Sequence, residues 1–504
     1  MRLRDPLILL ACLAWMLSST CLASEPIDVG SRLELFVDDH LVAELGGKAE
    51  LRMHAPIPRQ VAIVHDAPWE GNNCAYHTVI QDEDVYRMYY RGTNLDLTGD
   101  KLRHTHDAVV CYAESRDGAH WTKPKLGLFD FDGSQENNIL WKGKGSHNFA
   151  PIKDANPDCP PEARYKALGG LPGEGGLYAF RSPDGTHWSL LDERPVITKG
   201  AFDSQNLAFW DTTRGQYRVY LRVFRDGRDI NTATSKDFLH WTEPAPLGYT
   251  DGRKTQLYTN QITPYYRAPH IFLGFPTRYI TSRGLLTPLN EKIARASPRF
   301  GNDYTDGGLM SSRDGTTFHV WAEAFLRPGP VKQGRWMYGG NYQNWGLVET
   351  EMESAPEGVS PLLGPGSTKE LSIYASEGGW LGKANRMRRY TLRIDGFVSV
   401  HAPMSGGELV TKPLRFEGKH LVVNYATSAA GSIRAEIQTD QKTPIPGFTL
   451  AEADEIFGDQ LARTVSWKQG NDVSRLAGQP VRLRLVMKDA DLYSFRFQPQ
   501  PAED

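Results

Sequence analysis

Cysteine and long hydrophobic runs are both scarce in this 504-residue sequence. Of its five cysteines, Cys74, Cys111 and Cys159 lie beyond the first 23 residues, too scattered to form a disulfide framework. The apolar run at residues 7–17 is too short for a comfortable membrane span. No lysine or arginine run is long enough to follow a phosphate backbone, and the formal net charge is −3. We therefore expect no membrane span and no nucleic-acid partner.

The first 23 residues have the layout of a secretion signal. Arg2 and Arg4 form a basic start, residues 7–17 an apolar middle and residues 21–23 a small-residue exit. We expect cleavage after Ala23 and export to a periplasm or to the outside of the cell. A lipid anchor at Cys21 is the weaker alternative, because residues 18–20 match a lipobox poorly.

Glycine, proline and aromatic residues are abundant, with 48 Gly, 32 Pro and 11% aromatics, which indicates many tight turns. A pattern of the form Ser-x-Asp-Gly-x-x-Trp begins at Ser115 and Ser182, and variants begin at Ser235 and Ser312. An Asp-Gly pair between strands is a hairpin signal that an aromatic side chain can cover. The pattern resembles the Asp-box of sialidases but is one residue shorter. We interpret its aspartates as structural.

Short strands precede each copy of this pattern in the same order, and a fifth unit without it follows. Only residues 289–296 show helical periodicity. Five antiparallel units of about four strands predict an all-β protein with a five-bladed β-propeller over residues 56–395. Residues 24–55 form an N-terminal strand segment in which residues 32–37 close the ring or brace the last domain. Residues 396–504 have the short alternating strands of a C-terminal β-sandwich, assigned as an accessory domain.

The propeller topology predicts one polar face. In a blade, the start of the innermost strand and the loop between the second and third strands lie at the same end. Polar heads therefore meet there, at residues 69–73, 146–148, 203–206, 258–261 and 341–344. Amides pair with sugar hydroxyls, and aromatic rings stack on sugar rings. The predicted carbohydrate-binding residues are Asn72, His147, Asn148, Gln205, Asn206, Tyr258, Asn260, Arg278, Asn341 and Trp380. Arg278 would bind a carboxylate or sulfate on the sugar or neutralise nearby aspartates.

Cleavage of a glycosidic bond needs two carboxyl groups in different environments. The candidates are Asp203 and Glu70 as base or nucleophile, and Glu377 or Asp306 as acid; Asp107 comes next. Asp203 is the first choice, because it leads directly into a Ser-Gln-Asn run.

A metal is the alternative use of His104, His106 and Asp107, since alternate residues of a strand share a face. Solvated loop histidines are more common, so we predict no metal and no cofactor.

The pattern resembles the invertase–arabinanase–xylosidase group of glycoside hydrolases, in which five blades carry carboxylates on inner strands and a β-sandwich follows. The group's Asn-Asp-Pro-Asn-Gly head would fall near residues 69–72, where Glu70 replaces Asp and the Pro is absent. The Arg-Asp-Pro and Glu-Cys-Pro motifs of invertases are also absent.

The resemblance implies a secreted glycoside hydrolase, retaining or inverting. A non-catalytic carbohydrate-binding propeller and a glycoside phosphorylase or transferase are the alternatives. The oligomeric state is left open.

Overall fold

The computed structural model describes residues 25–98, 100–250, 255–352, 369–380 and 382–502. The expected secretion signal, residues 1–23, lies outside these ranges. The described residues form an all-β protein, as predicted. None of the helices in these ranges is long and apolar enough to cross a membrane.

Five antiparallel sheets follow one another along the chain. In sheet order, the first sheet contains Ala75–Asp82, Val85–Gly92, Val109–Ser115 and Ile139–Lys142, and the second contains Ala150–Lys153, Tyr165–Gly169, Tyr178–Ser182 and Ser189–Leu190. The third contains Leu207–Asp211, Gln216–Phe224, Arg228–Ser235 and Ala245–Pro246, and the fourth contains Thr263–Tyr265, Ala268–Gly274, Met310–Ser312, Thr317–Val320 and Gly248–Tyr249. The fifth contains Val348–Glu351, Lys369–Glu377, Asn385–Leu392 and Ile57–His65. The short strand Gly248–Tyr249 is the exception, since it pairs parallel.

The fifth sheet is completed by a strand from much earlier in the chain. Ile57–His65 pairs antiparallel with Asn385–Leu392. The fifth sheet also contacts the first, because Val79 N donates to Trp345 O at 2.8 Å and Trp345 N donates to His77 O at 2.8 Å. The first and last sheets of the series are therefore held together by main-chain hydrogen bonds.

Two insertions interrupt the series. Leu95–Thr98 and Lys101–His104 form a hairpin after the second strand of the first sheet. The second insertion is a three-stranded sheet that interrupts the fourth sheet and consists of Gln256–Leu257, Thr277–Ile280 and Tyr304–Gly307. Two helices, Pro288–Ala296 and Pro298–Asn302, lie in the chain between its last two strands. Thr287 caps the first helix by accepting from Asn290 N, which confirms the helix predicted at residues 289–296.

A ten-stranded sheet contains both the C-terminal strands and those of the N-terminal segment. Its strands are Ile27–Gly30, Glu34–Leu35, Val42–Gly47, Glu50–Met53, Val398–Ala402, Gly407–Thr411, Leu414–Phe416, His420–Thr439, Asp459–Thr464 and Val481–Gln498. The N-terminal segment thus pairs with the C-terminal region, and Glu34–Leu35 lies against the last strand. Short 3₁₀ helices occur at Pro161–Ala163, Pro172–Glu174 and Ser474–Leu476.

The Ser-x-Asp-Gly turns are closed by their own side chains. In the first copy, Asp117 Oδ1 accepts from the backbone N–H groups of Ala119 and His120, both at 2.8 Å, while Ser115 Oγ accepts from Gly118 N at 2.9 Å. Burial tends to raise the pKa of Asp117, but the hydrogen bonds from His120, Ala119 and Ser115 outweigh it and lower the pKa. Equivalent bonds close the turns at Asp184, Asp237 and Asp314.

Candidate active site

Asparagine side chains fasten the head of a sheet's first strand to its second strand. Asn72 exchanges two hydrogen bonds of 2.9 Å with the backbone of Leu95, which begins the hairpin after the second strand, and Asn148 exchanges bonds of 2.9 and 2.7 Å with the backbone of Gly170. Asn206 Oδ1 accepts from Arg222 N at 3.2 Å. All three asparagines are at most 3% exposed. Their amide groups are used within the protein, which differs from the predicted role in holding a sugar.

Asp203 lies next to His147 on the exposed side of these heads. Its side chain is 55% exposed, and Oδ1 is 3.1 Å from His147 Nε2. The same Nε2 is 3.0 Å from Arg91 Nη1. Because Nε2 can either donate to the carboxylate or accept from the guanidinium, only one of these bonds forms in a neutral imidazole. Removal of the Asp203 carboxylate would therefore favour the tautomer in which His147 Nε2 accepts from Arg91.

The ionisation of this pair follows from the surrounding charges. Burial tends to raise the pKa of Asp203, but the hydrogen bond and charge of His147, with Arg222 and Arg91, outweigh it and lower the pKa. Burial, followed by the charge of Arg91, lowers the pKa of His147. At neutral pH the site thus holds a carboxylate beside a neutral imidazole.

Tyrosines form a continuous wall beside Asp203. Tyr76 OH donates to Asp203 Oδ1 at 3.4 Å or contacts Tyr258 OH at 3.3 Å, and Tyr338 OH donates to Tyr258 OH at 3.2 Å. Tyr76 has a φ of +59° at a register shift in its strand. Left-handed backbone in a non-glycine residue costs energy and often occurs at functional sites. Burial raises the pKa of Tyr76, so the hydroxyl stays protonated.

Glu70 is fully buried and its carboxylate is bound on both oxygens. Tyr90 OH donates to Oε1 at 2.5 Å, and Lys123 Nζ and Ala67 N donate to Oε2 at 2.7 and 2.9 Å. Its side chain is 0% exposed. The structure therefore places Glu70 under the site, without an oxygen open to a ligand.

Glu377 and Asp306 are also held in ion pairs. Glu377 is 1% exposed and contacts Arg335, Arg386 and Arg388 at 2.6 to 3.3 Å. Asp306 forms a two-pronged pair with Arg278, at 2.7 and 2.8 Å. This pair neutralises Asp306, which is one of the two roles predicted for Arg278. The same guanidinium also donates to Ala322 O. Among the four predicted catalytic carboxylates, Asp203 is the most exposed, at 55% against 18% for Asp306 and 1% or less for Glu70 and Glu377.

The remaining predicted binding residues contribute to the walls of the site. Gln205 and Asn260 are buried and hydrogen bond to neighbouring heads, including Gln205 Nε2 to Thr78 Oγ1 at 2.8 Å. Asn341 Nδ2 donates to Arg335 O and Thr305 O. Trp380 is partly exposed, and its Nε1 donates to Tyr338 O at 3.0 Å. Tyr258 and His147 are thus the predicted binding residues that contact the surroundings of Asp203.

The histidine motif at residues 104–107 makes local contacts. His104 Nδ1 is 3.1 Å from Thr93 Oγ1, and His106 Nδ1 is 2.8 Å from the backbone oxygen of Asp107. Over the described ranges, no three His, Cys, Asp or Glu side chains are grouped so that they could hold a metal ion.

Arg91, Tyr76 and Tyr338 are site residues that sequence reasoning missed. Arg91 ends the second strand of the first sheet, and its guanidinium lies 4.8 Å from the centre of the Tyr76 ring. Tyr76 lies three residues after the first polar head, which is the signal that could have identified it. Tyr338 lies in an irregular segment, where no strand pattern fixes its direction.

Comparisons with known proteins give distant similarities. No family model matches the sequence. Two uncharacterised proteins of Mycobacterium tuberculosis, from strains CDC 1551 / Oshkosh and ATCC 25618 / H37Rv, are each 30% identical over 143 residues. The match covers 27% of this chain and 40% of each relative. The chain thus matches less than half the length of these relatives.

Solved structures similar to this one include carbohydrate-active enzymes. A thermostable family-43 glycoside hydrolase is 12% identical, with a TM-score of 0.41, covering 68% of this chain and 95% of that one. An N-acetylgalactosamine deacetylase from F. plautii has 13% identity and a TM-score of 0.40, covering 69% and 96%. The catalytic domain of a Coprinopsis cinerea GH62 α-L-arabinofuranosidase has 9% identity and a TM-score of 0.38, covering 67% and 97%. Arabinanase- and xylosidase-type hydrolases, the group that the sequence resembles, are thus among these matches. Because every one of these TM-scores is below 0.5, the function proposed for this protein rests on the site alone.

Proposed function

We propose that this protein is an exported carbohydrate-active enzyme, a glycoside hydrolase whose reaction centre is Asp203 with His147. The observation that carries the proposal is the pair itself: an exposed carboxylate, 3.1 Å from a histidine, beside a wall of tyrosines. In this proposal the five sheets are the blades of a five-bladed β-propeller and the ten-stranded sheet is a β-sandwich. Aromatic faces and hydroxyls beside a carboxylate suit a sugar ring.

Each group has a role that its ionisation allows. Asp203, ionised at neutral pH, stabilises the positive charge that develops at the anomeric carbon. Neutral His147 accepts the proton of the attacking water. Tyr76, whose hydroxyl stays protonated within 3.4 Å of Asp203, donates a hydrogen bond to the leaving oxygen, and the proton that His147 has taken from water completes the leaving alcohol. Glu70, Glu377 and Asp306 hold the surrounding backbone through their ion pairs.

A glycoside phosphorylase is the second candidate, and a specific observation favours it. No second carboxylate of the described residues pairs with Asp203, whereas Arg91 and Arg222 flank it, with Arg222 Nη2 3.8 Å from Asp203 Oδ2. When phosphate is the nucleophile, it needs cationic groups and no second carboxylate. This candidate and the hydrolase differ in the attacking group.

A glycan panel with and without inorganic phosphate tests both candidates. We expect phosphate-independent release of reducing ends, reduced about a thousandfold in Asp203→Asn. Asp226→Asn is the matched control, since this exposed aspartate has a φ of +54° that asparagine adopts readily. Sugar 1-phosphate formed only with phosphate would identify a phosphorylase. Binding without turnover of any glycan would leave a carbohydrate-binding protein and refute both enzymes.

A further inference from the structure

A cavity of about 580 Å³ adjoins the tyrosine wall at Tyr279, whose ring centre lies 6.1 Å from that of Tyr258. It is lined by Arg228, Tyr279, Thr281, Ser282, Gly284, Pro298, Arg299, Asn302 and Asp303. Two arginines face one aspartate here, so the lining carries a net positive charge. The predicted sugar-binding set includes none of these residues.

Both arginines are held by aromatic rings instead of carboxylates. The Arg228 guanidinium carbon is 3.7 Å from the centre of the Tyr279 ring, and that of Arg299 is 4.5 Å from Phe300 and 5.4 Å from Tyr338. Over the described ranges, neither arginine has a carboxylate oxygen within 4.0 Å. Stacking fixes the plane of a guanidinium and leaves its edge free to donate.

The aspartate in the lining does not neutralise the arginines by contact. Asp303 accepts from Tyr279 OH and, at 2.9 Å, from Ser282 N. Arg228 donates from Nη1 to Gln256 Oε1 at 2.9 Å, and its Nε is buried without a partner. Most guanidinium donors of the half-buried Arg228 and the exposed Arg299 are therefore not used inside the protein and can donate to a ligand.

A series of side-chain contacts between tyrosines links the lining of the cavity to Asp203. Arg228 lies 5.7 Å from the Tyr258 ring, and Tyr338 contacts Arg299 on one side and Tyr258 on the other. Tyr258 in turn contacts Tyr76, which reaches Asp203. A ligand at Asp203 can therefore extend over the tyrosines into the cavity.

We propose that this cavity is a subsite for an anionic group, a carboxylate or a sulfate ester, carried by a sugar unit next to the one at Asp203. The proposal rests on the proposed function of the Asp203 centre and names its substrate class as an acidic glycan. Planar guanidinium groups match carboxylate and sulfate oxygens in two-pronged geometry. Asp303 orients Tyr279, on which Arg228 stacks.

Paired probes measured by titration calorimetry at constant ionic strength test this subsite. The carboxylate pair is an oligogalacturonate and its methyl ester; the sulfate pair is a sulfated galactan oligosaccharide and its desulfated form. We expect the charged member of one pair to bind at least about tenfold more tightly than its neutral partner. The pair that shows the difference identifies the group.

Variants assign the difference to the cavity. Arg299→Gln, on the exposed helix Pro298–Asn302, is expected to abolish the charge preference, as is Arg228→Gln. Arg228→Lys, which keeps the charge, guards against a folding defect at the stacked position. Arg295→Gln, a neighbouring exposed arginine outside the cavity lining, is expected to keep the preference.

Several outcomes would overturn the subsite. They are equal binding of charged and neutral probes, no binding of any charged probe, a preference unchanged in Arg299→Gln and Arg228→Gln, or inorganic phosphate binding as tightly as the charged glycan. Turnover decides the proposed function separately. Charge-dependent binding without turnover keeps the subsite and refutes the enzyme, whereas turnover of neutral glycans alone keeps the enzyme and refutes the subsite.

Discussion

A substitution at Glu377 tests whether this predicted catalytic acid serves instead as a structural ion-pair partner. Its side chain is 1% exposed, and it accepts from Arg388 Nε at 2.7 Å and from Arg335 Nη2 at 2.6 Å. Arg386 adds a third contact at 3.3 Å. Burial tends to raise the pKa of Glu377, but these arginines outweigh it and lower the pKa. A carboxylate held ionised in this way is a poor proton donor at neutral pH.

Glu377→Gln keeps the shape of the side chain and removes its charge. Breaking a fully buried ion pair costs about 3–5 kcal/mol. The arginines are 20–47% exposed, so water recovers part of the lost interaction. We therefore expect the free energy of unfolding to fall by about 2–3 kcal/mol. Urea unfolding followed by tryptophan fluorescence at pH 7 measures the change.

Glu136→Gln is the control for this experiment. Glu136 pairs with Lys125 at 2.9 Å, but both side chains are largely exposed, so no measurable change is expected. A structural role of Glu377 would be excluded if Glu377→Gln unfolded at the wild-type urea concentration while losing turnover on a glycan that the wild type cleaves. That result would make Glu377 a catalytic residue.

The lowered pKa of Glu377 also determines how its contribution to the free energy of unfolding changes with pH. Because the folded-state pKa of Glu377 is lowered, its contribution is present above the unfolded-state pKa of about 4.3. It is lost as the pH falls through the lower folded-state pKa. The difference in stability between wild type and Glu377→Gln should therefore shrink in acid.

Three further substitutions test two buried groups, His65 and Glu70, and the half-exposed Asp117. Burial lowers the pKa of His65 to about 4. Between about pH 6.5 and 4 the unfolded chain therefore binds more protons than the folded protein, and the free energy of unfolding decreases as the pH falls, by about 3 kcal/mol for this group. His65→Gln should flatten urea-unfolding stability between pH 7 and 5, and an unchanged slope would contradict this. Glu70→Gln should cost about 2 kcal/mol by removing the buried carboxylate that Lys123 contacts, while Asp66 still pairs with this lysine, and Glu70 would instead be catalytic if stability stayed constant and turnover disappeared. Asp117→Ala should lower the unfolding free energy by about 1 kcal/mol through its lost turn bonds, with turnover unchanged; lost turnover without lost stability would argue against a structural role.

Much of the fold was predictable because it is encoded locally. The Ser-x-Asp-Gly pattern sets turns through bonds between neighbouring residues, and the spacing of strands around it predicts repeated antiparallel sheets. The helix at residues 289–296 was likewise predictable, since its cap and periodicity are local. The pairing of Ile57–His65 with Asn385–Leu392 was not predictable, because no local signal specifies a partner over 300 residues away.

The sequence by itself determined which residue types meet at one end of the sheets: amides, aromatics and carboxylates at the strand heads. Only the tertiary structure decided which of these groups are used inside the protein. Asn72 and Asn148 complete backbone hydrogen bonds, and the buried carboxylates of Glu70 and Glu377 pair with partly exposed cations. Asp203 keeps an exposed carboxylate beside His147. The physical reason is that buried polar groups must find partners, and those partners come from distant parts of the chain.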